Sequence, residues 1–232
     1  MFVRLPVHPW AGKWIFGLIC FSAAGFTASR IFHDSFAAAG LFFFLILSFF
    51  LCFFRNPSRR IDERPETLVS PADGRILEVC RESTGAFNGE ERLRVSIFLA
   101  LWNVHVIRSP LDATVISRRT TGVSFYPAFS KKSGLTNHSI SLCLYKAGME
   151  LNMRLSAGFI ARRIHCEILE GNRIGKGEII GLIRFGSRVD LILPASVTLT
   201  VRSGTFVKAG TVIGFIHEDK TRLHYSQPVH SA

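Results

Sequence analysis

Three residues that together can activate a hydroxyl occur in sharply defined local settings. Ser187 follows Gly186 in the stretch IRFGSRVDLILP, and Arg184 and Arg188 stand on either side of the pair. His105 ends the apolar run in RVSIFLALWNVHVIRSP, and Asp73 lies in the Ser-Pro turn SPADG. A serine hydroxyl becomes a competent nucleophile when an imidazole takes its proton and a carboxylate fixes the imidazole tautomer. Each residue also has an unreactive reading. A Gly-Ser pair inside an apolar stretch marks a β-bulge or tight bend. A histidine after an apolar strand can be a satisfied core residue, and an aspartate after Ser-Pro can cap its own turn.

Other chemistries find little support. The G-x-S-x-G elbow of serine hydrolases is absent; Gly122-Val123-Ser124-Phe125-Tyr126 lacks its second glycine. The eight histidines form no H-x-x-x-H or H-E-x-x-H pair, so no metal site is expected. No P-loop or G-x-G-x-x-G occurs. The five cysteines (Cys20, Cys52, Cys80, Cys143, Cys166) are odd in number and contain no C-x-x-C, which reads as buried free thiols in a reducing compartment.

The candidate residues need elements to position them, and the chain divides into two kinds of sequence. Of its 232 residues 48% are hydrophobic, with 21 phenylalanines, many of them near the N-terminus. Residues 14–29 and 35–54 carry no charge, and the second run is long enough at 1.5 Å per residue to span a hydrocarbon core of about 30 Å. Two long runs in succession, joined by Arg30-Ile31-Phe32-His33-Asp34, predict a membrane-associated helical hairpin over 1–54 rather than a signal peptide. Arg4 and Lys13 precede the hairpin and Arg55, Arg59 and Arg60 follow it, which predicts cytoplasmic ends; Arg30 in the turn opposes this, and a hairpin lying in one leaflet is the alternative. The net charge of +11 on a tethered domain points to anionic lipid headgroups. No basic helix or RNA-binding aromatic signature supports a nucleic-acid partner.

After a polar, proline-bounded linker at 55–65, residues 66–232 read as a mainly β domain. Strands are expected at 75–79, 93–101, 113–118, 139–145, 160–169, 178–185, 189–193, 197–201 and 211–217. Two internal repeats stand out: SPADGRIL (70–77) against SPLDATVI (109–116), and IGKGEIIG (174–181) against VKAGTVIG (207–214). They resemble the halves of the barrel-sandwich hybrid of biotinyl and lipoyl domains. The expected architecture is therefore a barrel-sandwich-hybrid-like β domain preceded by a hydrophobic helical hairpin.

FGSR followed by Val189-Asp190, SPADG, NVHVIRSP and GFIARRI (158–164) together resemble the phosphatidylserine decarboxylase proenzymes, in their short archaeal-type form. The likeness implies that the Gly186–Ser187 bond cuts itself. Ser187 Oγ would attack the Gly186 carbonyl, and elimination would release a β chain (1–186) and an α chain (187–232) that stay together as a heterodimer. Ser187 would become a covalent pyruvoyl group, which would hold substrate as a Schiff base and take up the electrons of the breaking bond to CO2. The substrate implied is phosphatidylserine in an anionic membrane, the product phosphatidylethanolamine, and the location the cytoplasmic face of the cell membrane. His105 would act as base in maturation and proton donor in turnover, with Asp73 orienting it. Longer relatives have a second histidine where this chain has Arg108; His138 is a substitute base. Arg108, Arg162, Arg163 and Arg188 are candidates for the lipid phosphate or substrate carboxylate, or for structural roles. A homo-oligomer is compatible with the sequence. The rival reading is a non-enzymatic membrane adaptor with a lipoyl-like domain, although 77–171 lacks the sustained heptads that such adaptors carry.

Overall fold

A computed structural model describes residues 7–83, 91–122, 137–158, 164–184 and 187–217. Two apolar helices come first, α1 (Gly12–Ile31) and α2 (Ser35–Phe53). Both are long and apolar enough to cross a membrane; many of their large side chains, Phe16 and Phe42 among them, are exposed, while Leu47 and Phe53 are buried. They pack through small residues: a Cβ added to Gly25 would lie 2.6 Å from Gly40 Cα, and Ser22 Oγ donates to the Gly40 carbonyl at 3.2 Å. Such close backbone approach is how helices associate where water supplies no hydrophobic drive. Cys20 and Cys52 lie exposed on this hairpin rather than buried, and the other three thiols are half-buried and free.

The strands are β1 (Thr67–Val69), β2 (Gly74–Ser83), β3 (Glu91–Leu99), β4 (Val106–Arg108), β5 (Ala113–Thr121), β6 (Ser139–Lys146) and β7 (Met149–Ala157). They continue with β8 (Ile164–Cys166), β9 (Arg173–Ile174), β10 (Ile179–Ile183), β11 (Ser187–Pro194), β12 (Val197–Leu199), β13 (Phe206–Val207) and β14 (Val212–Ile216). All pairings are antiparallel. The main sheet runs β13-β2-β3-β11-β7-β6-β5-β9, beside the small sheets β1-β14-β12 and β4-β10-β8. None closes into a barrel among the described residues. The main core is built from one face of the large sheet, with Val95, Ile97, Leu151, Met153, Leu155, Val189 and Leu191 all buried.

Three features depart from the sequence reading. β7 went unpredicted, yet it pairs with β11 along the candidate site. Its sequence MELNMRLSA alternates perfectly, but with Met, Leu and Asn in place of β-branched residues, so composition concealed a period-2 signal. The strand expected at 189–193 begins two residues earlier, so Ser187 opens β11. β10 stops at Ile183 and β11 starts at Ser187, and the two belong to different sheets. The expected strand at 160–169 is reduced to β8 among its described residues.

The repeats fold as an internal near-two-fold. Ser70 Oγ donates to the Ala72 carbonyl at 2.8 Å and Ser109 Oγ to the Leu111 carbonyl at 2.6 Å. The Ser70 carbonyl accepts from Gly210 N–H as the Ser109 carbonyl accepts from Gly177 N–H, each at 2.9 Å. Val69 N–H reaches Pro110 O at 3.0 Å, and Arg108 N–H reaches Pro71 O at 2.9 Å. Ile61 sits over both glycine turns: Gly177 and Gly210 have φ of +77 and +88, and a Cβ on either would come within 2.6 Å of it. The stretch read as a linker is therefore strapped along the domain, with Arg59 paired to Asp73.

The hairpin is anchored to this domain by a second core. Phe53 and Phe54, 2% and 1% exposed, pack with Ala11, Val104, Val106 and Leu182. We expect Phe53→Ala to lower stability by about 3–5 kcal/mol, the usual cost of emptying a buried aromatic site. A chain begun at Arg55 should lose more, because it lacks both rings. Thermal denaturation in one detergent reads both; a Phe53→Ala protein as stable as the parent would show that this core does not hold the hairpin.

Candidate active site

Side chains alternate along β11, and the parity decides what Ser187 touches. Val189, Leu191 and Leu193 face the main core, so Ser187 shares that apolar face. Its backbone lies opposite Leu99 of β3 on one side and Ala157 of β7 on the other. The Ser187 hydroxyl is fully buried and has no hydrogen-bond partner among the described residues. An orphaned buried hydroxyl costs about 1–3 kcal/mol, so a strand that only needed a small residue here would be better served by alanine. Gly186 lies outside the described residues.

His105 is positioned by the chain that leaves β3. Beyond Leu99 a turn closes with Asn103 N–H on the Ala100 carbonyl (2.9 Å), and His105 immediately precedes β4. Its carbonyl accepts from Ile183 N–H at 3.2 Å, just before the crossing to Ser187. His105 Nδ1 lies 2.8 Å from the Asn103 carbonyl. A carbonyl only accepts, so in the neutral ring Nδ1 carries the proton and Nε2 is the free base. That Nε2 is buried and unpartnered, like Ser187 Oγ, and the two atoms do not hydrogen-bond each other in this state. Phe53 stacks on the imidazole at 4.3 Å between ring centroids and 30° between planes. Burial in this apolar wall, with Arg55 adding repulsion, lowers the His105 pKa from 6.5 to about 4.

The sign of the resulting pH dependence follows directly. The unfolded chain takes up a proton at 6.5 that the folded chain refuses until about 4, so stability is complete above 6.5 and falls as pH drops towards 4. The loss attributable to this group is on the order of 3 kcal/mol at the bottom of that window. Urea denaturation of the parent and of His105→Gln at pH 7 and pH 5 should show a steeper acid loss in the parent; equal slopes would remove His105 as its source.

Asp73 does not contact the imidazole. Its carboxylate takes both oxygens to Arg59 Nη2 at 2.8 Å and accepts from Ala209 N–H at 2.8 Å. The second contact is duplicated in the internal repeat, where Asp112 Oδ1 accepts from Lys176 N–H at 2.8 Å. The tautomer role expected of Asp73 is filled here by the Asn103 carbonyl. Gly74, the next residue, lies so close to β3 that an added Cβ would meet the Phe98 carbonyl. Asp73 thus stands about two strand spacings, roughly 10 Å, from the Ser187 backbone across β3.

Among the candidate arginines, Arg188 is buried on the opposite face of β11, bonded to Asp190 Oδ1 (2.8 Å), Ser96 Oγ (2.7 Å) and Glu78 Oε1 (3.1 Å). Arg108 donates to the Gly177 carbonyl and Asn56 Oδ1, each at 2.8 Å. Both guanidinium groups have protein partners. Arg162 and Arg163 lie outside the described residues. His138 contributes its carbonyl to Ala157 N–H at 3.0 Å, on the far side of β7 from Ser187. Among the described residues no cluster of three metal-ligating side chains occurs. The sequence reading missed Asn103 and Phe53. The N-x-H spacing in NVHVIRSP carried a trace of the first, and no local signal marks the second.

Comparison with known proteins shows the family. A family model described as phosphatidylserine decarboxylase matches residues 46–215. A protein of Chlorobium limicola named phosphatidylserine decarboxylase proenzyme is 38% identical over 173 residues, covering 75% of this chain and 81% of the relative. One of the same name from Chlorobium phaeobacteroides is 40% identical over 170 residues, covering 73% and 80%. A Methanopyrus kandleri protein with a provisional archaetidylserine decarboxylase proenzyme name is 42% identical over 171 residues, covering 70% and 79%. The match runs through Asp73, His105 and Ser187, and the chain belongs to the phosphatidylserine decarboxylase family.

Proposed function

We propose that this chain is a proenzyme that cuts its own Gly186–Ser187 bond and then decarboxylates phosphatidylserine to phosphatidylethanolamine and CO2. The observation that carries the reading is the pair of orphaned buried atoms, Ser187 Oγ and His105 Nε2. One is a nucleophile with its proton to give up, and the other is a base with nothing to accept. In maturation His105 takes the Ser187 proton while Oγ adds to the Gly186 carbonyl, exchanging the amide for an ester. Removal of the Ser187 Cα proton then expels the Gly186 carboxylate, and hydrolysis of the resulting dehydroalanine releases ammonia. The group left at position 187 supplies a ketone that serves as an electron sink for loss of CO2. Ser187 and His105 are both fully buried, which keeps bulk water from their orphaned atoms, and neutral His105 would manage the proton in the reaction.

Two apolar helices ahead of the domain support a membrane-bound enzyme working on lipid at the cytoplasmic face. The adaptor alternative finds no support in the sheets that fill the space between the repeats. The test is intact mass and lipid product together. The purified protein should contain 1–186 and a partner lighter by one ammonia than a serine-headed 187–232, and it should convert phosphatidylserine in vesicles. One full-length mass with no product would overturn the proposal.

A further inference from the structure

The chain has three tryptophans, and all lie at one end of the hairpin. Trp10 is in the turn Pro9–Ala11 just before α1, and Trp14 is in the first turn of α1, 59% exposed. Because the helices run antiparallel, the start of α1 and the end of α2 meet at this level. His8 N–H bonds the Phe54 carbonyl at 2.9 Å, and Val7 bridges Arg55. Trp102 arrives from elsewhere in the sequence. It sits in the turn after β3, 75% exposed, beside Leu101 at 38%. Arg55 ties that turn to the helix end, with Nη1 on the Cys52 carbonyl and Nη2 on the Trp102 carbonyl, each at 2.7 Å.

An adjacent Leu-Trp pair left in water at the tip of a turn is a liability in a soluble domain. At the end of a membrane helix it has a defined use. Tryptophan concentrates at the membrane–water boundary, where an apolar ring with a polar N–H fits both media. Arg55, bonded to both the Cys52 and the Trp102 carbonyls, holds the turn at the level of the helix end.

We propose that the turn bearing Leu101 and Trp102 is a third membrane contact, inserted into the interfacial layer at the level of Trp14. The occupant of this surface is the lipid bilayer that holds the hairpin, and the contact is continuous with it. It fixes the tilt of the β domain, which a single hairpin would leave free to swing. It also sets the site at headgroup depth, since His105 follows Trp102 by three residues and stacks on the last residue of α2. The inference rests on the membrane reading of the hairpin and is independent of the chemistry assigned to Ser187.

The test uses the full-length protein with Trp10→Phe and Trp14→Phe, leaving Trp102 as the sole indole, in phosphatidylcholine–phosphatidylglycerol vesicles. Trp102 fluorescence should be quenched strongly by lipid brominated near the glycerol end of its chains, less by lipid brominated near the methyl end, and little by aqueous iodide. Free quenching by iodide with none by either brominated lipid would overturn the proposal whether or not the protein is an enzyme. In turnover, Leu101→Ser with Trp102→Ser should raise the KM for vesicle phosphatidylserine roughly tenfold, from lost apolar burial. Self-cleavage and kcat on a soluble short-chain substrate should stay unchanged. An unaltered vesicle KM would also count against the contact.

Discussion

A Ser187→Ala protein is expected to run as one uncut chain, to form no phosphatidylethanolamine, and to be at least as stable as the uncut proenzyme that still carries Ser187. The first two results follow from removing nucleophile and leaving group together. The third follows from the setting: the hydroxyl is fully buried, on a strand flanked by Leu99 and Ala157, with no partner among the described residues. Deleting it relieves a desolvation cost of about 1–3 kcal/mol and opens almost no cavity. A residue kept for stability would behave in the opposite way. Electrophoresis without added protease and a thermal melt of the same sample therefore separate the chemical role from the structural one. Ser187→Cys should cut slowly, since a thiolate at that position can still attack. A cleaved Ser187→Ala chain would sink the self-cutting reading.

The second large effect is at His105. Loss of a general base costs about a hundredfold to ten-thousandfold, so His105→Ala should leave mostly uncut protein over hours in which the parent matures. The substitution opens a pocket against Phe53, and added imidazole should bind there and restore part of the cutting rate. That rescue is the discriminating readout, because a merely destabilised fold would not respond to it. Asp73→Asn keeps an acceptor for the Ala209 amide but loses the charge that holds Arg59. It should slow cutting less than His105→Ala does. Equal blocks in the two variants would mean that Asp73 leaves Arg59 and reaches the imidazole during maturation.

Much of this arrangement was legible before any fold was in hand, for identifiable physical reasons. The hairpin announces itself because uncharged runs have few other uses. The repeats predicted paired glycine turns, and they recur bond for bond at Ser70 and Ser109. What stayed hidden is tertiary. Nothing local to Asn103 says that its carbonyl, rather than a carboxylate, will fix the His105 tautomer. Phe53 reads as one more apolar residue of a membrane helix, and only the fold turns it onto the imidazole. Arg188 looked like an anion binder, yet strand parity sends it to the face opposite Ser187, into an ion pair with Asp190 and Glu78. Short-range pattern sets which face a residue takes; which strand lies beside it is decided by sequence far away, as where Thr67 pairs with Phe215.

The position of β11 and β14 in their sheets has a consequence for the lifetime of the protein. β11 runs between β3 and β7, and β14 between β1 and β12, so the segment after Gly186 contributes an inner strand to each of two sheets. In the uncut chain these strands are delivered by a connection of a few residues, at a high effective concentration and a small loop-closure cost. Once the connection is severed, the same fragment stays woven in place by hydrogen bonds on both edges, and no disulfide among the described cysteines retains it. Its reassembly after unfolding becomes a bimolecular encounter. Denatured mature protein should therefore recover in proportion to its concentration, while denatured Ser187→Ala recovers independently of it. The cut converts an equilibrium fold into a kinetically held one, whose working life is set by how slowly that inner fragment escapes.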